Sequence, residues 1–204
     1  SADDLESQDY QNILTHIKQY GEIDDIYSLT PLQQDMFLQS VREKESTYYV
    51  VQEVFGTRYD FDIELLKEAL TLLSLRYDVL RTIFFSGNLL KPRQIVLKER
   101  ELPLVVIDLS EFTEMDAKER LNAYVTEDVK KGFKLENDPL LRITYIIMPV
   151  GERKIVWTYH HIIFDGWCMS LLFREFFDYY RSLEEKESYA QLYEFVMDKR
   201  KHTK

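Results

Sequence analysis

Two adjacent histidines, His160 and His161, followed after three apolar residues by Asp165 and Gly166, form the stretch of this chain best suited to chemistry. An imidazole titrates near neutral pH, so either ring could move a proton or hold a hydrogen bond to a developing charge. The preceding run Ile155-Val156-Trp157-Thr158-Tyr159-His160-His161 reads as a strand. Side chains alternate along a strand, so Ile155, Trp157, Tyr159 and His161 share one face and His160 takes the other. Only one of the two histidines can therefore point into a given cavity. Asp165-Gly166 falls where the strand gives way to a helix beginning near Trp167, and loops at strand ends are common mounts for binding and catalytic groups. Glycine there admits a close backbone approach, and an aspartate four residues past His161 can hold the loop by a charged hydrogen bond. A pair of ordinary, partly buried histidines would fit the same spacing.

The elements that must position this loop are legible from periodicity. Gln8 to Tyr20 has helical spacing and stops at Gly21. After the acidic stretch Glu22 to Asp25, Thr30-Pro31 supplies an N-cap and a first-turn proline for a helix bearing Leu32, Met36, Phe37 and Ser40 on one face. Thr47 to Phe55 reads as a strand, and Asp60 and Asp62 introduce a helix through Leu65, Leu66, Ala69, Leu70 and Leu73. Three short β-rich runs follow, Leu80 to Phe85, Gln94 to Leu97 and Leu104 to Ile107, separated by Gly87-Asn88 and Pro103. Glu114 to Lys131 is an amphipathic helix. Leu140 to Met148 and Lys154 to His160 form a hairpin across Pro149-Val150-Gly151-Glu152. Cys168 to Leu183 is a largely buried helix and Tyr189 to Lys199 a final amphipathic one. Helices alternate with strands, yet several strands are joined by short turns. The expected architecture is therefore an α/β two-layer sandwich with a mixed sheet covered by helices.

Composition excludes several classes of function. The formal charge of −10 disfavours nucleic acid as a partner. No run of about 18 apolar residues suggests a membrane span, no secretory leader is visible, and the single Cys168 forms no internal disulfide, so a cytoplasmic setting is expected. His16, His160, His161 and His202 have no metal-ligand spacing with cysteines or carboxylates, and with 6 glycines no phosphate-cradling loop stands out. No metal, nucleotide or dinucleotide is expected to bind.

The stretch His160-His161-Ile162-Ile163-Phe164-Asp165-Gly166-Trp167 resembles the core motif of nonribosomal peptide synthetase condensation domains, a family related to chloramphenicol acetyltransferases. Two more stretches resemble condensation motifs in the expected order. They are Tyr27-Ser28-Leu29-Thr30-Pro31-Leu32-Gln33-Gln34-Asp35-Met36 and Arg76-Tyr77-Asp78-Val79-Leu80-Arg81-Thr82-Ile83-Phe84. A weaker likeness runs from Gly132 to Arg142. Tyr77-Asp78 stands where the family usually has His-Glu, and Cys168 where it usually has Ser.

The resemblance implies a chloramphenicol acetyltransferase-like lobe, with a lead-in helix and linker over 1–24 and the N-terminal lobe of a condensation domain over 25–204. The second lobe and an adjacent adenylation domain would lie elsewhere, and the lobe alone would be inactive. It further implies peptide-bond formation between aminoacyl and peptidyl thioesters, which arrive on the phosphopantetheine arms of donor and acceptor carrier domains, with no cofactor bound directly. His161 would be the catalytic residue, as general base or as a positioning and electrostatic group. His160, Asp165 and Gly166 would complete the motif, Arg81 would pair with Asp165, and Trp167 would pack under the loop. The motifs lean weakly toward domains that accept a D-configured donor. Two other readings are a free-standing trimeric acetyl-coenzyme A-dependent acetyltransferase and a non-catalytic carrier-docking module.

Overall fold

The computed structural model describes residues 7–43, 47–87, 89, 91–164, 166–186 and 188–201, without the side chain of Trp167. In chain order the elements are α1 (Ser7–Ile17), β1 (Ile23–Ser28), α2 (Pro31–Arg42), β2 (Val50–Thr57), α3 (Ile63–Arg76), β3 (Thr82–Phe85) and β4 (Arg93–Leu97). They continue with β5 (Leu104–Asp108), α4 (Glu114–Lys131), β6 (Leu141–Ile147), β7 (Arg153–His160), α5 (Gly166–Glu184) and α6 (Tyr189–Lys201).

The strands form two sheets. The larger has the order β2-β7-β6-β5, antiparallel except for the parallel β5–β6 pair, and the smaller has the order β1-β4-β3. The sheet is mixed, as the alternation of short turns and helical crossovers predicts. The β6–β7 hairpin forms with Leu141 opposite Tyr159. Its turn contains Val150 at φ 57° and Gly151 at φ 73°, and only the second is a residue that takes a positive φ without strain.

β7 is buried on both faces. Ile155, Trp157 and Tyr159 pack with α3 and α5 in the main core, which includes Leu66, Leu73, Met169 and Phe176. On the opposite face Val156 joins Leu109, Ala117, Leu121 and Ile146 beneath α4. The sandwich of sheet and α3/α5 thus carries one further helix, α4, on its other side. A third cluster packs Ile13 and Ile17 of α1 against Ile26, Ile83, Phe85, Ile95 and Leu97 of the smaller sheet. The lead-in helix therefore packs against the smaller sheet.

β1 is the strand that periodicity misses. Its sequence Ile23-Asp24-Asp25-Ile26-Tyr27-Ser28 carries two carboxylates and reads as a polar connection, yet it pairs with β4 along an edge where only Ile26 is buried. The two helix starts argued from caps are present. Thr30 and Gln33 form a reciprocal capping box on α2, with Pro31 at the first helical position, and Asp62 accepts from the N–H groups of Glu64 and Leu65 on α3.

Candidate functional site

His160 ends β7 and lies 4% exposed, on the face opposite Trp157 and Tyr159, as strand alternation requires. Its Nδ1 is 3.1 Å from the backbone nitrogen of Ile162 and its Nε2 is 3.2 Å from Ser40 Oγ. Because a backbone N–H can only donate, Nδ1 carries no proton. Burial, followed by the charge of neighbouring His161, pushes the His160 pKa down to about 4, so at neutral pH the ring is uncharged. A neutral ring without a proton on Nδ1 carries it on Nε2, which therefore donates to the Ser40 hydroxyl. The rings of Tyr49 and Phe133 flank His160 at centroid distances of 5.8 and 6.4 Å.

His161 lies one residue beyond β7 and is half-buried. Its N–H donates to Tyr49 O at 2.8 Å, extending the β2–β7 ladder by one bond past the strand. The two histidines thus divide into a buried neutral one and a more accessible one. A neutral His160 adds no positive charge beside His161.

The three residues after His161 anchor the loop. Ile162, Ile163 and Phe164 are all buried in the main core, with the Phe164 ring 4.7 Å from that of Tyr159. Ile163 N–H donates to His160 O at 3.2 Å, and Ile162 O accepts from Gln33 Nε2 at 3.3 Å. The loop is consequently held by packing and by backbone bonds on both sides of His161.

Gly166 is the first residue of α5, so the strand-to-helix transition falls where the sequence predicts it. Asp165 and the side chain of Trp167 lie outside what the structure describes. Arg81, the expected partner of Asp165, has a full set of acceptors among the described residues. It is fully buried, and its Nε donates to Ser74 O, one terminal nitrogen to Leu97 O and Lys98 O, and the other to Leu75 O and Asp78 Oδ1. A guanidinium has five N–H donors, and these five acceptors use all of them. Arg81 belongs to the corner between α3, β1 and β4, with Asp24 Oδ2 at 3.8 Å.

Sequence reasoning did not assign a site role to Gln33, Ser40 or Tyr49. Gln33 and Ser40 lie seven residues apart, two turns of one helix, on the same face of α2 as buried Met36 and Phe37. Two polar residues at helical spacing with a buried apolar pair were the available signal. Among the described residues no group of three or more side chains could hold a metal ion, and no helix is long and apolar enough to cross a membrane. A groove of about 740 Å³ lined by Gly56, Lys118, Met148 and Lys154, among others, lies at the opposite end of β7 and contains none of the motif residues.

The family model described as "Condensation domain" matches residues 23–195, most of the chain, including both histidines and α2. The chain belongs to the condensation domain family. Relatives of this condensation-family chain include tyrocidine synthase 2 of Brevibacillus parabrevis, 35% identical over 165 residues, and gramicidin S synthase 2 of Brevibacillus brevis, 34% identical over 165 residues. Each alignment covers 81% of the chain but only 5% and 4% of those proteins, respectively. Among solved structures, the starter condensation domain of the rhizomide synthetase matches with a TM-score of 0.74 at 19% identity, covering 81% of this chain and 41% of that one. The first condensation domain of the calcium-dependent antibiotic synthetase, in complex with a substrate analogue, matches at 0.72 and 18%, covering 82% and 41%. The chain therefore spans about two-fifths of the solved condensation domains it matches, and at these identities the structural likeness establishes the shared fold.

Proposed function

We propose that this chain is the N-terminal, histidine-bearing lobe of a condensation domain that joins carrier-bound aminoacyl and peptidyl thioesters. The observation that carries the reading is the division of labour between the histidines. His160 is buried, neutral and occupied at both ring nitrogens, whereas His161 stands at the strand end, half-buried, on a loop held at the N–H groups of His161, Ile162 and Ile163 and at the Ile162 carbonyl.

In this reading the nitrogen of the acceptor amine attacks the thioester carbonyl of the donor. The tetrahedral intermediate collapses with cleavage of the C–S bond, the amide forms, and the donor carrier's thiol leaves. The attacking nitrogen must lose a proton on the way and the sulfur must gain one, so net proton release is zero. His161 fits either of two roles, accepting the proton from the nitrogen or stabilising the charge of the intermediate. The substrates arrive on phosphopantetheine arms of donor and acceptor carrier domains, the remaining lobe completes the channel, and an adenylation domain supplies the acceptor. Asp165, Gly166 and Trp167 shape the loop, and the D-configured donor preference remains part of the same proposal. By itself the lobe has half a channel and no condensation activity.

The test is His161→Ala in a complete condensation domain bearing this lobe, with both loaded carriers supplied. Condensation should fall by orders of magnitude while the melting temperature and carrier binding hold. Unchanged condensation would overturn the assignment.

A further inference from the structure

Three polar contacts link α2 to the histidine loop, two directly and one through Tyr49. At the first, Gln33 Nε2 donates to Ile162 O at 3.3 Å. The same amide is locked by a reciprocal pair with Gln94 of β4. Gln94 Nε2 donates to Gln33 Oε1 at 2.9 Å, Gln33 Nε2 donates to Gln94 Oε1 at 3.3 Å, and Gln33 Oε1 also accepts from the Thr30 N–H at 3.0 Å. Every donor and acceptor of the Gln33 amide is therefore used, which fixes its orientation. At the second place, Tyr49 O–H donates to Gln39 Oε1 at 2.7 Å, and the carbonyl of Tyr49 accepts the N–H of His161. At the third, Ser40 Oγ accepts from His160 Nε2, whose Nδ1 accepts the N–H of Ile162.

The third contact works as a relay with a fixed direction. The Ile162 N–H makes Nδ1 the acceptor, so the proton sits on Nε2, where the Ser40 hydroxyl accepts its hydrogen bond. The opposite tautomer would place a proton on Nδ1 facing that N–H, two donors against each other, and the loop would have to move. Ile162 is thus gripped by its N–H through Ser40 and His160, and by its carbonyl through Gln33. It is the residue directly after His161.

We propose that Ser40, acting through His160, and Gln33, acting through the Ile162 carbonyl, are positioning residues that set the placement of His161 for amide formation. Neither touches the substrate. The inference rests on the condensation reading and adds to it the two residues of α2 that aim its imidazole. Catalysis depends on geometry steeply enough for the grip to matter, since displacement of a catalytic group by about 1 Å can lower a rate roughly a hundredfold.

The experiment has two arms. In the first, side-chain ¹⁵N NMR of the histidines in the 204-residue chain reads the tautomer of His160 without any reaction. The expected state is protonated Nε2 and bare Nδ1, and Ser40→Ala should strip the Nε2 proton of its acceptor and shift the Nε2 resonance, while Ser40→Thr keeps it. A His160 protonated on Nδ1 in the unsubstituted chain would overturn the proposal. In the second arm, a complete condensation domain bearing this lobe is assayed with loaded carriers. Ser40→Ala and Gln33→Leu should each lower kcat roughly ten- to a hundredfold at unchanged KM for the carriers, with Ser40→Thr restoring it to within about threefold. Thermal melts of the same variants exclude those that do not fold, and for these the tautomer of the unsubstituted chain together with Ser40→Thr decides. An active unsubstituted domain whose kcat survives Ser40→Ala and Gln33→Leu would overturn the positioning role alone. An inactive unsubstituted domain would overturn the condensation reading and the proposal with it.

Discussion

Arg142 Nε lies 2.6 Å from Asp128 Oδ1, and both side chains are buried. The pair ties α4 to β6 and leads toward the site, because the Arg142 guanidinium also covers the Phe133 ring at 4.2 Å and Phe133 in turn meets His160 edge-on. Asp128 Oδ2 is satisfied as well, by Thr158 Oγ1 at 2.5 Å and Gln52 Nε2 at 2.9 Å. Removal of one partner from such a network strands the other charge in a poorly solvating place. Asp128→Ala should cost about 3–5 kcal/mol of stability, and an Asp128→Leu/Arg142→Met double variant should cost less than the sum of its singles. Urea denaturation of the four proteins of the cycle measures this. Additive losses would mean that the pair is not coupled.

His160 gives the fold a pH dependence whose sign follows from its environment. The pKa of the buried ring is pushed down to about 4 from a free value near 6.5, so between these pH values the unfolded chain takes up a proton that the native state refuses. The stability associated with the neutral ring is fully present above about pH 6.5 and is lost as pH falls toward 4. Between pH 7 and pH 5 the contribution amounts to about 2 kcal/mol. His160→Gln keeps a side-chain donor for Ser40 without a titrating ring, and should flatten the stability profile across that interval. Equal slopes for the two proteins would show that another group carries the effect.

The N-cap of α3 provides a stability change remote from the histidine loop. Asp62 Oδ1 accepts from Glu64 N at 2.8 Å and Leu65 N at 3.2 Å, satisfying two helix donors that have no partner within the helix. Asp62→Ala should lower stability by about 1 kcal/mol, and Asp62→Ser should recover most of it. Condensation at a temperature well below the melt should be unaffected by either substitution. A fall in kcat with Asp62→Ala would mean that α3 transmits strain to the loop.

Much of this arrangement is legible in the residue pattern. Alternation along β7 sets His160 on the face opposite Trp157 and Tyr159 in the sequence as it does in the fold, and the Thr30-Pro31 and Asp62 caps mark helices that begin where those residues place them. What stays hidden has two physical causes. β1 is obscured because its carboxylates line an edge and answer to distant cations, Asp24 to Arg200 at 2.5 Å, so its local pattern describes a loop. The grip of α2 on the loop is obscured because Gln33 and Ile162 are separated by 129 positions, and a polar side chain does not announce which distant backbone group it will meet. For Arg81, the resemblance places the residue within a motif but does not reveal the buried corner of carbonyls it fills.

The Arg81 corner allows that last point to be tested directly. The guanidinium is fully buried and spends its five donors on four carbonyls and Asp78, while Asp24 bridges it to Arg200 of α6. Lysine has three donors at one point and cannot reproduce a planar fork, so Arg81→Lys leaves buried carbonyls without partners. The loss should be about 2–4 kcal/mol, larger than a surface substitution by several-fold. Because the affected groups join α3, β1, β4 and α6 and do not include the histidine loop, kcat at low temperature should change little among molecules that remain folded. Active-site titration alongside urea denaturation separates the two quantities. A folded Arg81→Lys domain with full stability and collapsed kcat would mean that Arg81 serves the site instead of the corner.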